Sequence, residues 1–172
     1  LTPSRRRHLS RIPLIKYRSA NPQQAPLPDA ASAEMDMLPN LLQTLVHSPA
    51  ALTAFRGLQR VAREGSLSLM TRERIALAIA QQTACEYCLS AHTAAGRKAG
   101  LNGNEMAANR AGTSEDAKAA VAVGFALKVS ERSGAISIAE LTELRRAGYS
   151  DADMLEIVTH VGLNLLTSLV DK

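Results

Sequence analysis

The sequence predicts an all-α protein, and three observations carry that prediction. No run of alternating apolar and polar residues long enough for a strand occurs anywhere in its 172 residues. Alanine and leucine are abundant while only five residues are aromatic, none of them tryptophan, a composition that favours helix over strand. Apolar residues recur instead at three- and four-residue intervals between helix start and stop signals. A chain of this length suits one buried core. The expected organisation is an extended, basic and Pro-rich N-terminal arm over residues 1–33, followed by a single helical domain over 34–172 with about seven or eight helices around a central helix hairpin.

Residues 19–33, rich in Pro, Ala and Gln, read as an extended segment. Leu38, Leu41, Leu42 and Leu45 share one face of a first helix whose regular part follows Pro39. Ser48 caps and Pro49 opens a second, carrying Leu52, Phe55, Leu58 and Val61 to about Arg63. Ser68 to Thr71 starts a third that is apolar around most of its circumference through Ile75, Ala76, Leu77, Ile79 and Ala80, the mark of a central helix. A fourth runs from about Cys85 to Lys98 with Gly100 as its stop. Asn102 and Glu105 open a short helix, and Thr113 or Ser114 is expected to cap a long one with Val121, Phe125 and Val129, ending near Arg132 before Gly134. Ser137 opens the next, which closes at Gly148. Ser150 caps the last, with Leu155, Val158, Val161, Leu165 and Leu169 as its expected buried stripe.

The net charge of +4 is unevenly placed. Residues 1–20 hold Arg5, Arg6, Arg7, Arg11, Lys16 and Arg18 and no acid, so the remainder is slightly acidic, and a nucleic-acid partner is not expected. No stretch reaches the roughly 18 uninterrupted apolar residues of a membrane span, so no membrane partner is expected either. Gly100 to Gly103 is too short for a phosphate-binding loop, and no organic cofactor is implied.

The two cysteines stand together as Cys85-Glu86-Tyr87-Cys88, with His92 one turn beyond. Two cysteines this close cannot staple a secreted framework, so a reducing, cytoplasmic setting is expected. On a helix, residues i and i+3 lie on the same side and within disulfide reach, and the first turn's unpaired N–H groups favour thiolate. His92, four residues after Cys88, faces the same way and can move a proton. Glu73, set among apolar residues of the preceding helix, is the carboxylate placed to orient it. Glu86 reads as a first-turn acid that complements the helix N-terminus. A thioredoxin fold is excluded because helix, not strand, flanks the motif on both sides. Zinc would find only three ligands on one short helix, with Glu73 as the only obvious fourth and a poor tetrahedral spread. His160, with Asn164 one turn on, reads first as a core histidine and second as a supporting site residue. His47 reads as a local cap or surface group, and the five methionines as packing.

The run Thr71-Arg72-Glu73-Arg74, then Ile75-Ala76-Leu77-Ala78, then Cys85-Glu86-Tyr87-Cys88-Leu89-Ser90-Ala91-His92-Thr93 resembles the alkylhydroperoxidase D family within the carboxymuconolactone decarboxylase superfamily, closest to its peroxidase-related branch. The likeness covers roughly Leu38 to Leu166, and Ser10-Arg11-Ile12-Pro13-Leu14 is similar to the branch's beginning. It implies a helical homo-oligomer, trimer or hexamer, that reduces hydroperoxides with Cys88 as the peroxidatic and Cys85 as the resolving cysteine, recycled by a dithiol or protein reductant. It also implies a Glu73–His92 proton relay. The family's further histidine just before the second cysteine is Tyr87 here, a possible supporting residue. The alternatives are a carboxymuconolactone decarboxylase-like enzyme and a non-catalytic redox-sensing or metal-binding module.

Overall fold

The computed structural model describes residues 12–15 and 40–171. Except for residues 12–15, the arm expected over 1–33 lies outside them, as do Leu38 and Pro39. Among the described residues there are eight helices and no strand: α1 (Asn40–Leu45), α2 (Pro49–Glu64), α3 (Leu69–Gln82), α4 (Glu86–Lys98), α5 (Gly103–Arg110), α6 (Ala117–Glu131), α7 (Ile138–Arg146) and α8 (Asp151–Asp171). The chain falls into two compact units, one of Leu1–Thr53 with Val170–Lys172 and one of Ala54–Leu169.

In the first unit the short segment before α1 runs beside it. The Ile15 amide donates to the Gln43 carbonyl at 3.2 Å, and the His47 Nε2 lies 2.6 Å from the Pro13 carbonyl.

The second unit is organised by α3. The Ser68 hydroxyl accepts from the Thr71 amide at 3.1 Å, which fixes the helix start, and every residue from Arg74 to Ala80 is buried. A helix covered on all sides needs several neighbours, and α3 packs against α4, α5 and α6. Ile75 and Ile79 join Ala122, Phe125, Ala126 and Val129 of α6, Leu144 of α7 and Ile157 and Val161 of α8 in the principal core. On another side of the helix Leu77 meets Leu101 and Met106. Gly96 lets α4 come close there: a Cβ at that position would stand 3.2 Å from Leu101 Cδ1 and 3.4 Å from Met106 Sδ.

Arg74 is a buried cation on this helix, and its partner is Glu105 at 2.6 Å. Glu105 also accepts from Asn109, the Ser114 hydroxyl and the Glu115 amide. Burial pushes its carboxyl up, but the bonds from Ser114, Asn109, Glu115 and Arg74 outweigh that and hold it at about 2.

Two local expectations need correction. The cap of α6 is Asp116, which accepts from the Ala119 amide at 2.8 Å, and not Thr113 or Ser114. The Ser114 hydroxyl is held by Glu105 at 2.5 Å, and the Thr113 carbonyl accepts from Asn109. The stripe of α8 is also turned from the one expected. Met154, Ile157, His160, Val161, Asn164 and Ser168 are buried, while Leu155 and Leu169 are 70% and 73% exposed and Val158 is exposed as well. Of the expected stripe Val161 alone is fully buried, and the buried face carries His160, Asn164 and Ser168 beside its apolar residues, with Ser168 bonded to Thr83 just after α3. Helix α8 also has the length and apolarity of a membrane span, yet a third of that stretch is buried against protein.

Glu105→Gln leaves Arg74 without its charge partner and is expected to cost about 3 kcal/mol in urea unfolding at pH 7. The ionised Glu105 contributes fully above its ordinary value of 4.5, and that contribution is lost as pH falls towards 2. The gap between variant and wild type should therefore shrink across that window. A gap that stays constant from pH 7 to 3 would show that the charge is not what stabilises.

Candidate active site

The site begins with how α3 stops. The amides of Thr83, Ala84 and Cys85 donate to the carbonyls of Ile79, Gln81 and Ala80, closing the last turn in a Schellman-type cap. Such a cap needs one residue in the left-handed region, usually glycine, and here Ala84 takes it at φ 50°. That conformation costs about 1 kcal/mol in a residue with a Cβ. The chain then reverses at once. Cys85 has extended backbone (φ −90°, ψ 97°) and is the N-cap of α4, its Sγ accepting from the Cys88 amide at 3.2 Å.

Cys85 and Cys88 are joined in a disulfide with a Cα separation of 5.2 Å, as their shared face allows. Both are buried, at 2% and 3% exposure, and they pack with Ala80 and Leu89. Glu86 and Tyr87 are both exposed in the first turn of α4.

Glu73 and His92 meet directly, with Oε2 and Nδ1 2.9 Å apart and both side chains largely covered. A carboxylate can only accept, so an ionised Glu73 places the imidazole hydrogen on Nδ1 and leaves Nε2 of the neutral ring as a base. Cys88 and His92 lie four residues apart on α4, on one face.

One residue beyond the predicted set touches the sulfur, and a second touches that residue. Ser168 Oγ of α8 lies 3.6 Å from Cys88 Sγ and 3.0 Å from Thr83 Oγ1. The signal that could have found Ser168 is its spacing: it stands four and eight residues after Asn164 and His160, on the same face of one helix.

His160 is buried on that face, and its Nε2 has no hydrogen-bond partner among the described residues. Burial first, then the positive charges of Arg72 and His92, push its imidazole down to about 4, with Glu156 and Glu73 pulling the other way. It is therefore a neutral ring at pH 7, near the Glu73–His92 pair. Among the described residues no group of three His, Cys, Asp or Glu side chains is arranged to hold a metal ion.

A CxxC disulfide thus sits at the turn of a helix hairpin whose two arms carry a carboxylate–histidine pair. Residues 48–132, which contain all four of these side chains, match the model of the Carboxymuconolactone decarboxylase family. An uncharacterized peroxidase-related protein from Silicibacter sp. TM1040 is 26% identical with a TM-score of 0.70, over 90% of this chain and 89% of that one. The alkylhydroperoxidase AhpD core of an uncharacterized peroxidase-related protein from Ralstonia eutropha JMP134 has a TM-score of 0.73 at 24% identity, over 91% and 88% of the two chains. No match was found among curated proteins. Over residues 48–132 the chain is thus similar to the carboxymuconolactone decarboxylase family, and it shares the all-helical fold of the two solved structures.

The imidazole of His160 is expected to titrate near pH 4 in an NMR pH series, against an ordinary value of 6.5. Between those values the unfolded chain binds a proton that the folded chain refuses, so this group makes stability fall as pH drops through that window. A midpoint close to 6.5 would place the ring in contact with water.

Proposed function

We propose that this protein is a hydroperoxide reductase, and a thiol–disulfide oxidoreductase in its recycling step, with Cys88 as the attacking sulfur. The observation that carries the reading is the Cys85–Cys88 disulfide at the turn of a hairpin whose two arms join Glu73 to His92 at 2.9 Å. In the reduced protein the Cys88 thiolate attacks a peroxide oxygen: an S–O bond forms, the O–O bond breaks, and the alkoxide leaves with a proton from the His92 imidazolium. Glu73 holds that ring in place and stabilises its charged form. The sulfenic acid on Cys88 is then attacked by Cys85, whose sulfur replaces the hydroxyl to form the disulfide and release water. A dithiol reductant restores both thiols by supplying two electrons and two protons, and is itself oxidised to a disulfide.

The protein works as a homo-oligomer in this reading. Support comes from Leu155, Val158 and Leu169, which α8 presents to solvent along one side. A carboxymuconolactone decarboxylase-like activity is the second reading, favoured by the family whose model the chain matches. It does not call on the cysteines, which separates the two.

Hydroperoxide consumption with a dithiol reductant is the test. Cys88→Ser should abolish turnover, Cys85→Ser should consume about one equivalent and stop, and His92→Gln should slow the reaction about 10²-fold. Unchanged turnover in Cys88→Ser would overturn the assignment of the attacking sulfur. Decarboxylation of a lactone acid that survives both cysteine substitutions would favour the second reading.

A further inference from the structure

We propose that Ser168 is the positioning residue that sets the ionisation of Cys88, through a hydroxyl proton that it gives to Thr83 when the disulfide is closed and to the sulfur when it is open. This rests on Cys88 being the sulfur that ionises, and it names the group that makes ionisation affordable inside the fold.

The starting observation is where α8 spends its hydroxyls. Thr159 and Thr167 donate to the carbonyls of Leu155 and Leu163, four residues back, each at 2.9 Å. That is the usual fate of a helical hydroxyl. Ser168, next to Thr167, turns away from its own helix, and its partners are Thr83 Oγ1 at 3.0 Å and Cys88 Sγ at 3.6 Å. It is 3% exposed, so water does not take the place of those partners.

Each hydroxyl has one proton to donate. Thr83 Oγ1 stands 2.9 Å from the Ile79 carbonyl and 3.3 Å from that of Ala80, so a donor role towards its own helix is open to it. With Thr83 donating there, its oxygen accepts from Ser168, and the disulfide sulfur, a weak acceptor, receives nothing. Opening the disulfide changes the ranking of acceptors. A thiolate on Cys88 would be a buried anion, and burial alone raises a thiol's pKa. The Cys88 amide is directed to Cys85 Sγ and His92 Nδ1 to Glu73, so apart from a protonated His92 Nε2 the Ser168 hydroxyl is the donor placed against the sulfur. The Ser168 hydroxyl needs only to rotate about its Cβ–Oγ bond to donate to the sulfur. Charge-assisted bonds are roughly twice as strong as neutral ones, so the anion outcompetes the Thr83 oxygen.

Reduced protein in a Cys85→Ser background, where serine keeps the cap of α4, leaves Cys88 as the single thiol. Its ionisation is read from the pH dependence of iodoacetamide alkylation and from thiolate absorbance near 240 nm. Adding Ser168→Ala should raise the midpoint by about one pH unit, a tenfold smaller thiolate fraction at any pH below it. Ser168→Thr, which keeps the hydroxyl, should restore most of the shift. Thr83→Val removes the competing acceptor and should leave the midpoint at its original value or lower. An unchanged midpoint in Ser168→Ala, an equal rise in Ser168→Thr, or a rise in Thr83→Val each overturns the proposal, and the Thr83 arm stands even if Ser168→Ala does not fold. The measurement uses no peroxide, so failure of peroxide turnover with a shifted midpoint rejects the proposed function alone, and the reverse pattern rejects the role of Ser168 alone.

Discussion

The three-residue turn Thr83–Ala84–Cys85 is the constraint on which the site depends. It is tight because the terminal carbonyls of α3 are satisfied by the turn's own amides, and Cys85 serves both as the last residue of that cap and as the N-cap of α4. The helix it ends cannot drift, since Ile75, Leu77 and Ile79 have no exposed surface. A reversal this short forces the two helices to run side by side. Glu73 lies about 13 Å along α3 before the turn and His92 about 10 Å along α4 after it, at 1.5 Å per residue, so similar distances bring them opposite each other. One backbone feature thus places both the sulfurs and the carboxylate–imidazole pair.

Helix α8 shows what such a site demands of its neighbours. An amphipathic helix normally turns its apolar face inward, yet this one buries His160, Asn164 and Ser168 and presents Leu155 and Leu169 to solvent. The inward polar groups are not idle, since Asn164 donates to the His160 carbonyl and Ser168 reaches Thr83 and the Cys88 sulfur. The same helix is tied at its other end by Glu156, which accepts from the amides of Ser66 and Leu67 just before α3. Those anchors at both ends fix its rotation more firmly than hydrophobicity does.

That explains where the sequence was legible and where it was not. Helix order and boundaries could be read because they are written in local punctuation: Ser68, Asn102 and Ser137 at starts, Gly100 and Gly148 in the left-handed region at ends. The pairing of Glu73 with His92 was readable from the chemical cost of an isolated carboxylate among apolar residues. The face of α8 was not, because apolar residues lie on both candidate stripes and the choice depends on partners 80 to 90 residues away in the chain. The cap of α6 was hidden for a similar reason, its nearer candidate Ser114 being claimed by a buried carboxylate on another helix.

The covering of the two sulfurs has a consequence for any reagent that would open the bond between them. Thiol exchange needs a collinear approach of three sulfur atoms, and neither cysteine offers a face to solvent from which such a line could be drawn. A bulky reductant must therefore wait for the first turn of α4 to fray, and that fraying loosens the bond by which the Cys85 sulfur holds the Cys88 amide. Exchange at this disulfide would then be gated by the breathing of a helix end.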